Sequence, residues 1–241
     1  MRPVRKGSSP IGTDYDDYTN AKVDLVSRLG PYCSYCERRI STNLAVEHIQ
    51  PKGLPQYKSL EGSWNNFLLA CVNCNSSKGD DDVQFSDFLL PDRDNTFAAF
   101  DYFADGDIKP SALAVQAGLE NQAKSTLDLV GLDKSVRRTL DANGKQVALD
   151  KKSQLIELWA IAEDTKNTLK ANPKAKSIAI NLAKAEGFFS IWMTVFKNDP
   201  DMKNRLIDAF SGTRESGCFD PTGASISPAP NPDGLSGGRK I

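Results

Sequence analysis

Cys33-Ser34-Tyr35-Cys36 and Cys71-Val72-Asn73-Cys74 enclose the segment Val46-Glu47-His48-Ile49-Gln50-Pro51-Lys52, and this stretch decides the fold. A C-x-x-C turn presents two thiolates on one side of a tight loop. Two such turns supply the four soft ligands that a tetrahedral zinc ion takes. The 34 residues between the pairs exceed the usual zinc-ribbon spacing, so a structural unit of its own must lie between the knuckles. Disulfides are the rival reading, disfavoured in a chain without a secretion signal; a redox C-x-x-C is disfavoured by the duplication. With all four positions filled by Cys33, Cys36, Cys71 and Cys74, a zinc ion has no place for water and serves structure alone. The fifth cysteine, Cys218, reads as a spare thiol.

Outward from the knuckles, strand-like pieces lie at Leu44–Ile49 and Phe67–Ala70, and the polar run after Cys74 can start a helix. Upstream, Asp14–Leu29 reads as a helix that stops at Gly30-Pro31. Downstream the period becomes helical. Leu119, Ala123, Leu127 and Val130 share a face; a second helix is expected over Lys134–Leu140 and a third over Lys151–Leu169. Ile178, Leu182, Ala185, Phe189, Trp192 and Phe196 form the strongest row and read as one core face, and Met202, Leu206 and Phe210 mark a last helix. Residues 211–241 are rich in Gly, Pro and Ser, so a flexible, dispensable tail is expected. The class is α+β, divided into an arm and helix at 1–31, a knuckle-bearing core at 32–100, a mainly helical region at 101–210 and the tail.

At 241 residues the chain can bury a core without disulfide staples. No run approaches the roughly 18 apolar residues of a membrane span, and no apolar signal core follows the basic start, so a soluble cytoplasmic protein is expected. With 30 basic against 31 acidic residues, nothing global marks a nucleic-acid binder. Only residues 137–208 carry a basic excess. Any grip on a phosphate backbone must come from a local cluster or from a partner that brings charge. The helical half, roughly 119–210, holds no His, no Cys and no clustered acid pair, and is expected to dock a partner or a second copy.

The ordered set Cys pair, Glu47-His48, Asn66, Cys pair, Asn75 and Lys78 resembles the HNH nuclease family. The resemblance implies a ββα-metal HNH core clamped by structural zinc knuckles and followed by a mainly helical region. It further implies His48 as general base, Glu47 and Asn75 as ligands of a catalytic divalent ion, and Asn66 as the brace of the connecting loop. Glu47 stands where Asp is commoner, and Asn75 where the name has His. Both keep oxygen donors, which suit magnesium or manganese. His48 is the only histidine in the chain, and an unperturbed imidazole pKa near ~6.5 leaves it largely neutral at cellular pH. Each residue taken singly has a plainer reading: a lone His that packs, a Lys78 that is a solvated helix lysine rather than a phosphate contact, a Trp64 that anchors the core rather than stacking on a base.

The Met1-Arg2-Pro3 opening, the Lys6-Gly7 step and the segment from Thr126 to Arg137 are similar to bacterial HNH proteins that act in phage defence beside an ATPase, as in Septu-type systems and related retron cassettes. That narrower resemblance implies a DNA substrate and an ATPase partner. One ββα unit cuts one strand at a time, so a double break would need two copies or two encounters. The competing classes are a non-catalytic zinc-knuckle module for nucleic-acid binding or interaction, and a toxin-like subunit silent until assembled.

Overall fold

Strands β1 (Ala45–His48) and β2 (Phe67–Ala70) pair antiparallel, with Val46 opposite Leu69 and His48 opposite Phe67. The computed structural model describes residues 1–134 and 150–241. All four side chains of β2 are buried, as expected of a strand covered on both faces. Helix α1 (Ala21–Leu29) covers the pair, burying Leu25 and Leu29, and stops at Gly30, whose φ of 73° suits a residue without Cβ. Its first turns are shorter than the sequence predicts, because Tyr18–Asn20 form a 3-10 turn capped by Asp17. Directly after β2, helix α2 (Val72–Lys78) begins with Cys71 as its N-cap, the sulfur accepting from the Cys74 amide at 3.4 Å.

A short helix α3 (Thr96–Ala99) leads into a second antiparallel pair, β3 (Phe100–Tyr102) and β4 (Ile108–Pro110), which the sequence pattern did not announce. The helical region follows as α4 (Ala112–Gln116), α5 (Glu120–Leu129), α6 (Lys151–Ala171), α7 (Lys176–Glu186), α8 (Phe189–Val195) and α9 (Pro200–Ala209). Local chemistry sets several starts: Ser111, Asp150 and Asp199 each cap the helix that follows, and Pro200 occupies the first turn of α9. The helix expected over Lys134–Leu140 lies almost wholly outside the described residues.

Two expectations fail. The row from Ile178 to Phe196 is not one face: Gly187 and Phe188, with φ of 84° and 56°, break it into α7 and α8. Only its second half is core. Ile178 is 69% exposed and Ala185 is exposed, whereas Phe189, Trp192 and Phe196 are buried. The break has a cause: a Cβ on Gly187 would stand 2.5 Å from the Glu37 carbonyl, so the first knuckle's loop packs flush on this glycine.

Nor is 211–241 a loose tail. Cys218, Phe219, Ala229, Leu235 and Ile241 are buried, and Phe219 lies against Phe97 and Phe189. Asn95 donates to the carbonyls of Cys218 and Ile226 at 2.9 and 2.8 Å, Lys240 donates its amide to Asp94, and Arg2 donates to Ser211 and Thr213. Composition misleads here because side chains elsewhere in the chain supply the partners that the segment's own backbone lacks. One contiguous cluster of buried apolar residues runs from Met1 through the knuckles and the helices to Ile241.

Candidate active site and metal centre

Cys33, Cys36, Cys71 and Cys74 converge with their sulfurs all within 4.8 Å of one another, and all five cysteines are free of disulfides. Cys36 and Cys71 stand 3.7 Å apart, close to the ~3.8 Å that tetrahedral zinc with ~2.3 Å bonds imposes. The donor set therefore fits zinc. Burial pushes the Cys33 thiol up and neighbouring sulfurs push Cys36 up, while Cys71 and Cys74 are held down by the thiols facing them. A central cation resolves such mutually dependent charges. The first knuckle is tied to β2 by Ser34, whose amide donates to Leu69 O at 2.7 Å. It is tied to α8 by Glu37, whose carboxylate accepts from the Ser190 amide and hydroxyl.

Beside the knuckles opens a cavity of about 170 Å³ whose walls include Glu47, His48 and Asn75. Three of the four residues singled out for the chemistry thus meet in one place. His48 is held on three sides. Phe67, its cross-strand neighbour, meets it edge-on at 5.2 Å, Tyr18 meets it edge-on at 4.8 Å, and its Nε2 lies 2.9 Å from the Glu61 carbonyl. A carbonyl only accepts, so the neutral ring carries its proton on Nε2 and keeps Nδ1 as the basic nitrogen. Burial lowers the pKa of His48, partly opposed by the Glu61 bond, which favours the neutral base.

Glu47 is 2% exposed, and Lys78 Nζ stands 3.1 Å from its Oε1. Burial raises the pKa of the carboxyl against the opposing pull of Lys78. Lys78 is therefore neither a solvated helix lysine nor a free phosphate contact; it too is 2% exposed. Asn66 lies away from the cavity and clasps the chain after β1, its Oδ1 accepting from the Gln50 amide at 2.8 Å and its Nδ2 donating to Gln50 O at 2.9 Å. Trp64 is a core residue, 2% exposed, its indole donating to Gly7 O.

Tyr18, Lys52 and Asp80 also line the cavity and were not foreseen. Lys52 lies over the Tyr18 ring at 4.1 Å and pairs with Glu61 at 3.0 Å. Its place four residues after His48 was a usable signal. Tyr18 arrives from the α1 approach and left no local one.

Glu47 and Asn75 offer a carboxylate and an amide oxygen to one cavity, the hard donors that magnesium or manganese takes, with further positions left to water or phosphate. Among the described residues no helix is long and apolar enough to cross a membrane. No curated protein matches the sequence. The segment that this geometry singles out, residues 33–81, matches the family model of the HNH endonucleases.

Proposed function

We propose that the chain is a metal-dependent HNH endonuclease of ββα-metal type that hydrolyses phosphodiester bonds in DNA. The observation that carries this reading is the convergence of Glu47, His48 and Asn75 on one cavity inside the segment that matches the family. Structural zinc would sit among the four thiolates. A magnesium-class ion held by Glu47 and Asn75 would supply charge stabilisation to the phosphate and the leaving 3′ oxygen. The protein's own part is proton transfer and placement. His48 takes a proton from the attacking water on Nδ1, becomes imidazolium, and returns the proton to solvent after the bond breaks. The Nε2–H bond to Glu61 and the rings of Phe67 and Tyr18 fix the imidazole plane, so the base does not search for its angle. Asn66 pins Gln50, and with it the chain between His48 and Pro51, both of which line the cavity.

The resemblance of the opening residues and of Thr126 to Arg137 supports a narrower role, as the cytoplasmic nuclease component of a bacterial anti-phage system with an ATPase partner. The balanced charge of 30 basic and 31 acidic residues agrees with a nuclease that depends on a partner to bring DNA. The buried Glu47–Lys78 pair favours one rival, a closed knuckle module that binds without cutting.

Replacing His48 with Ala decides between them. Plasmid nicking with metals added singly, with and without a candidate ATPase partner, should fall by ~100-fold or more in His48→Ala while zinc content and melting temperature stay unchanged. Wild-type nicking by His48→Ala removes the mechanism, and absence of any nicking by the native protein under every condition leaves the binding module.

A further inference from the structure

Both knuckles aim a side chain at the same carboxylate. Tyr35 is an inner residue of the first knuckle, 1% exposed, and its hydroxyl lies 3.5 Å from Glu47 Oε1. Lys78 ends α2, the helix that the second knuckle starts, and its ammonium lies 3.1 Å from that same oxygen. Among the described residues, nothing is hydrogen-bonded to the other oxygen, Oε2. With the Lys78 ammonium paired to Oε1 and the Tyr35 hydroxyl beside that same oxygen, Oε2 is the oxygen left to face a cation. One-oxygen ligation is what a small octahedral cation with several retained waters takes from a carboxylate.

We infer that Tyr35 and Lys78 are positioning residues that fix Glu47 for one-oxygen ligation of the catalytic cation, so that the zinc cluster sets the geometry of the second metal site through these two side chains. This rests on the nuclease reading above, in which Glu47 holds that cation. It gives the buried lysine a task beyond neutralising a charge, and it explains why an outwardly structural cluster stands beside the chemistry: each knuckle is the fixed base from which one arm reaches Glu47. Partners of this kind govern metal affinity by about 10–100-fold without touching the ion.

The test reads manganese binding directly, by the loss of the free-ion electron paramagnetic resonance signal, on the full zinc-loaded chain. Tyr35→Phe deletes one hydroxyl and keeps the ring in the core; Lys78→Met deletes the ammonium; Lys78→Arg returns a charged donor. Manganese affinity should weaken by about 3-fold or more in Tyr35→Phe and about 10-fold or more in Lys78→Met, with part of the loss recovered in Lys78→Arg. Zinc content should stay at one per chain in all three. Should Lys78→Met fail to fold, Tyr35→Phe and Lys78→Arg carry the measurement. Wild-type manganese affinity in Tyr35→Phe and in the lysine variants, with affinity lost in Glu47→Gln, overturns the positioning role and leaves Glu47 as a ligand. Unchanged affinity in Glu47→Gln overturns the ligand assignment itself, and the positioning role with it.

Discussion

The knuckle-bearing segment 33–81 and the C-terminal segment 211–241 are built alike. Both consist of turns and short elements with few regular backbone ladders, and neither could bury enough apolar surface alone to order itself. They are held in opposite ways. The first is gathered by four thiols from two places in the sequence around one point. The second is laid along residues 92–95, four consecutive buried polar side chains, of which Arg93, Asp94 and Asn95 hydrogen-bond it directly. A metal centre concentrates the ordering force where a sequence can advertise it. Polar clasping spreads that force over residues that look ordinary one by one.

If that contrast is right, removing zinc does the most damage. Structural zinc contributes roughly 10–16 kcal/mol in small zinc-finger peptides, as much as or more than the ~5–15 kcal/mol total stability of a typical domain. Cys71→Ser, or chelation of the native protein, should unfold the segment 33–81. It should also loosen α8, because Glu37 ties the first knuckle to Ser190. Circular dichroism and hydrogen exchange should show both losses together; exchange confined to 33–81 breaks the comparison.

Deleting 211–241 should come next. Each buried apolar side chain removed, Phe219, Leu235 and Ile241 among them, accounts for roughly 1.5–3 kcal/mol. The deletion also strips partners from Arg2 and Asn95. A fall in melting temperature of more than about 10 °C is expected by calorimetry. A truncated chain that melts with the full one would return this segment to the class of loose tails.

Asp92→Asn probes the clasp from within. The carboxylate lies 2.9 Å from Lys6 Nζ and 2.6 Å from Arg93 Nη1, all three buried, and breaking such a cluster costs roughly 3–5 kcal/mol. Burial works against the charge on Asp92, but Arg93 and Lys6 outweigh it and hold its pKa below the ordinary carboxylate range. A depressed folded pKa contributes stability that is present above the unfolded value of ~3.9 and is lost as pH falls through the folded one. The difference in denaturation midpoint between wild type and Asp92→Asn should therefore be large at pH 7 and shrink below about pH 4. A gap independent of pH would show that the side chain matters for packing rather than charge.

The smallest effect is expected of Asn95→Ala, which leaves the carbonyls of Cys218 and Ile226 without their donor at roughly 1–3 kcal/mol. Urea titration should show the C-terminal segment released before the knuckle segment. Simultaneous release sharpens the comparison differently, by making the two regions one cooperative unit.

What the sequence made legible was whatever has short-range chemistry behind it. Cysteine spacing located the metal centre, the Phe67–Ala70 run located β2, and the spacing of Met202 and Leu206 located the last helix. Pairings between distant residues were not legible. Lys78 and Glu47 lie 31 residues apart, and nothing in either neighbourhood says that they meet. The break at Gly187 and Phe188 was hidden for the same reason: the apolar spacing is helical throughout, and only the approach of the Glu37 loop explains the turn. Tyr18 belongs to this class too, since its place against His48 depends on where α1 lies.

The run Asp92-Arg93-Asp94-Asn95 also bears on the order in which the chain acquires its structure. Arg93 reaches the Asn65 carbonyl and the Ser236 carbonyl, Asp94 accepts from Leu90 and Lys240, and Asn95 accepts from Ala98 while donating to Cys218 and Ile226. Four of these seven partners leave the ribosome more than a hundred residues after the hub itself. During synthesis the hub must wait, wet and incomplete, while the knuckles can already take up their ion. The polypeptide therefore matures from the metal centre outward, and contacts of this sequence separation close last and slowest. A nascent chain of this build would have its metal centre assembled well before its frame is locked.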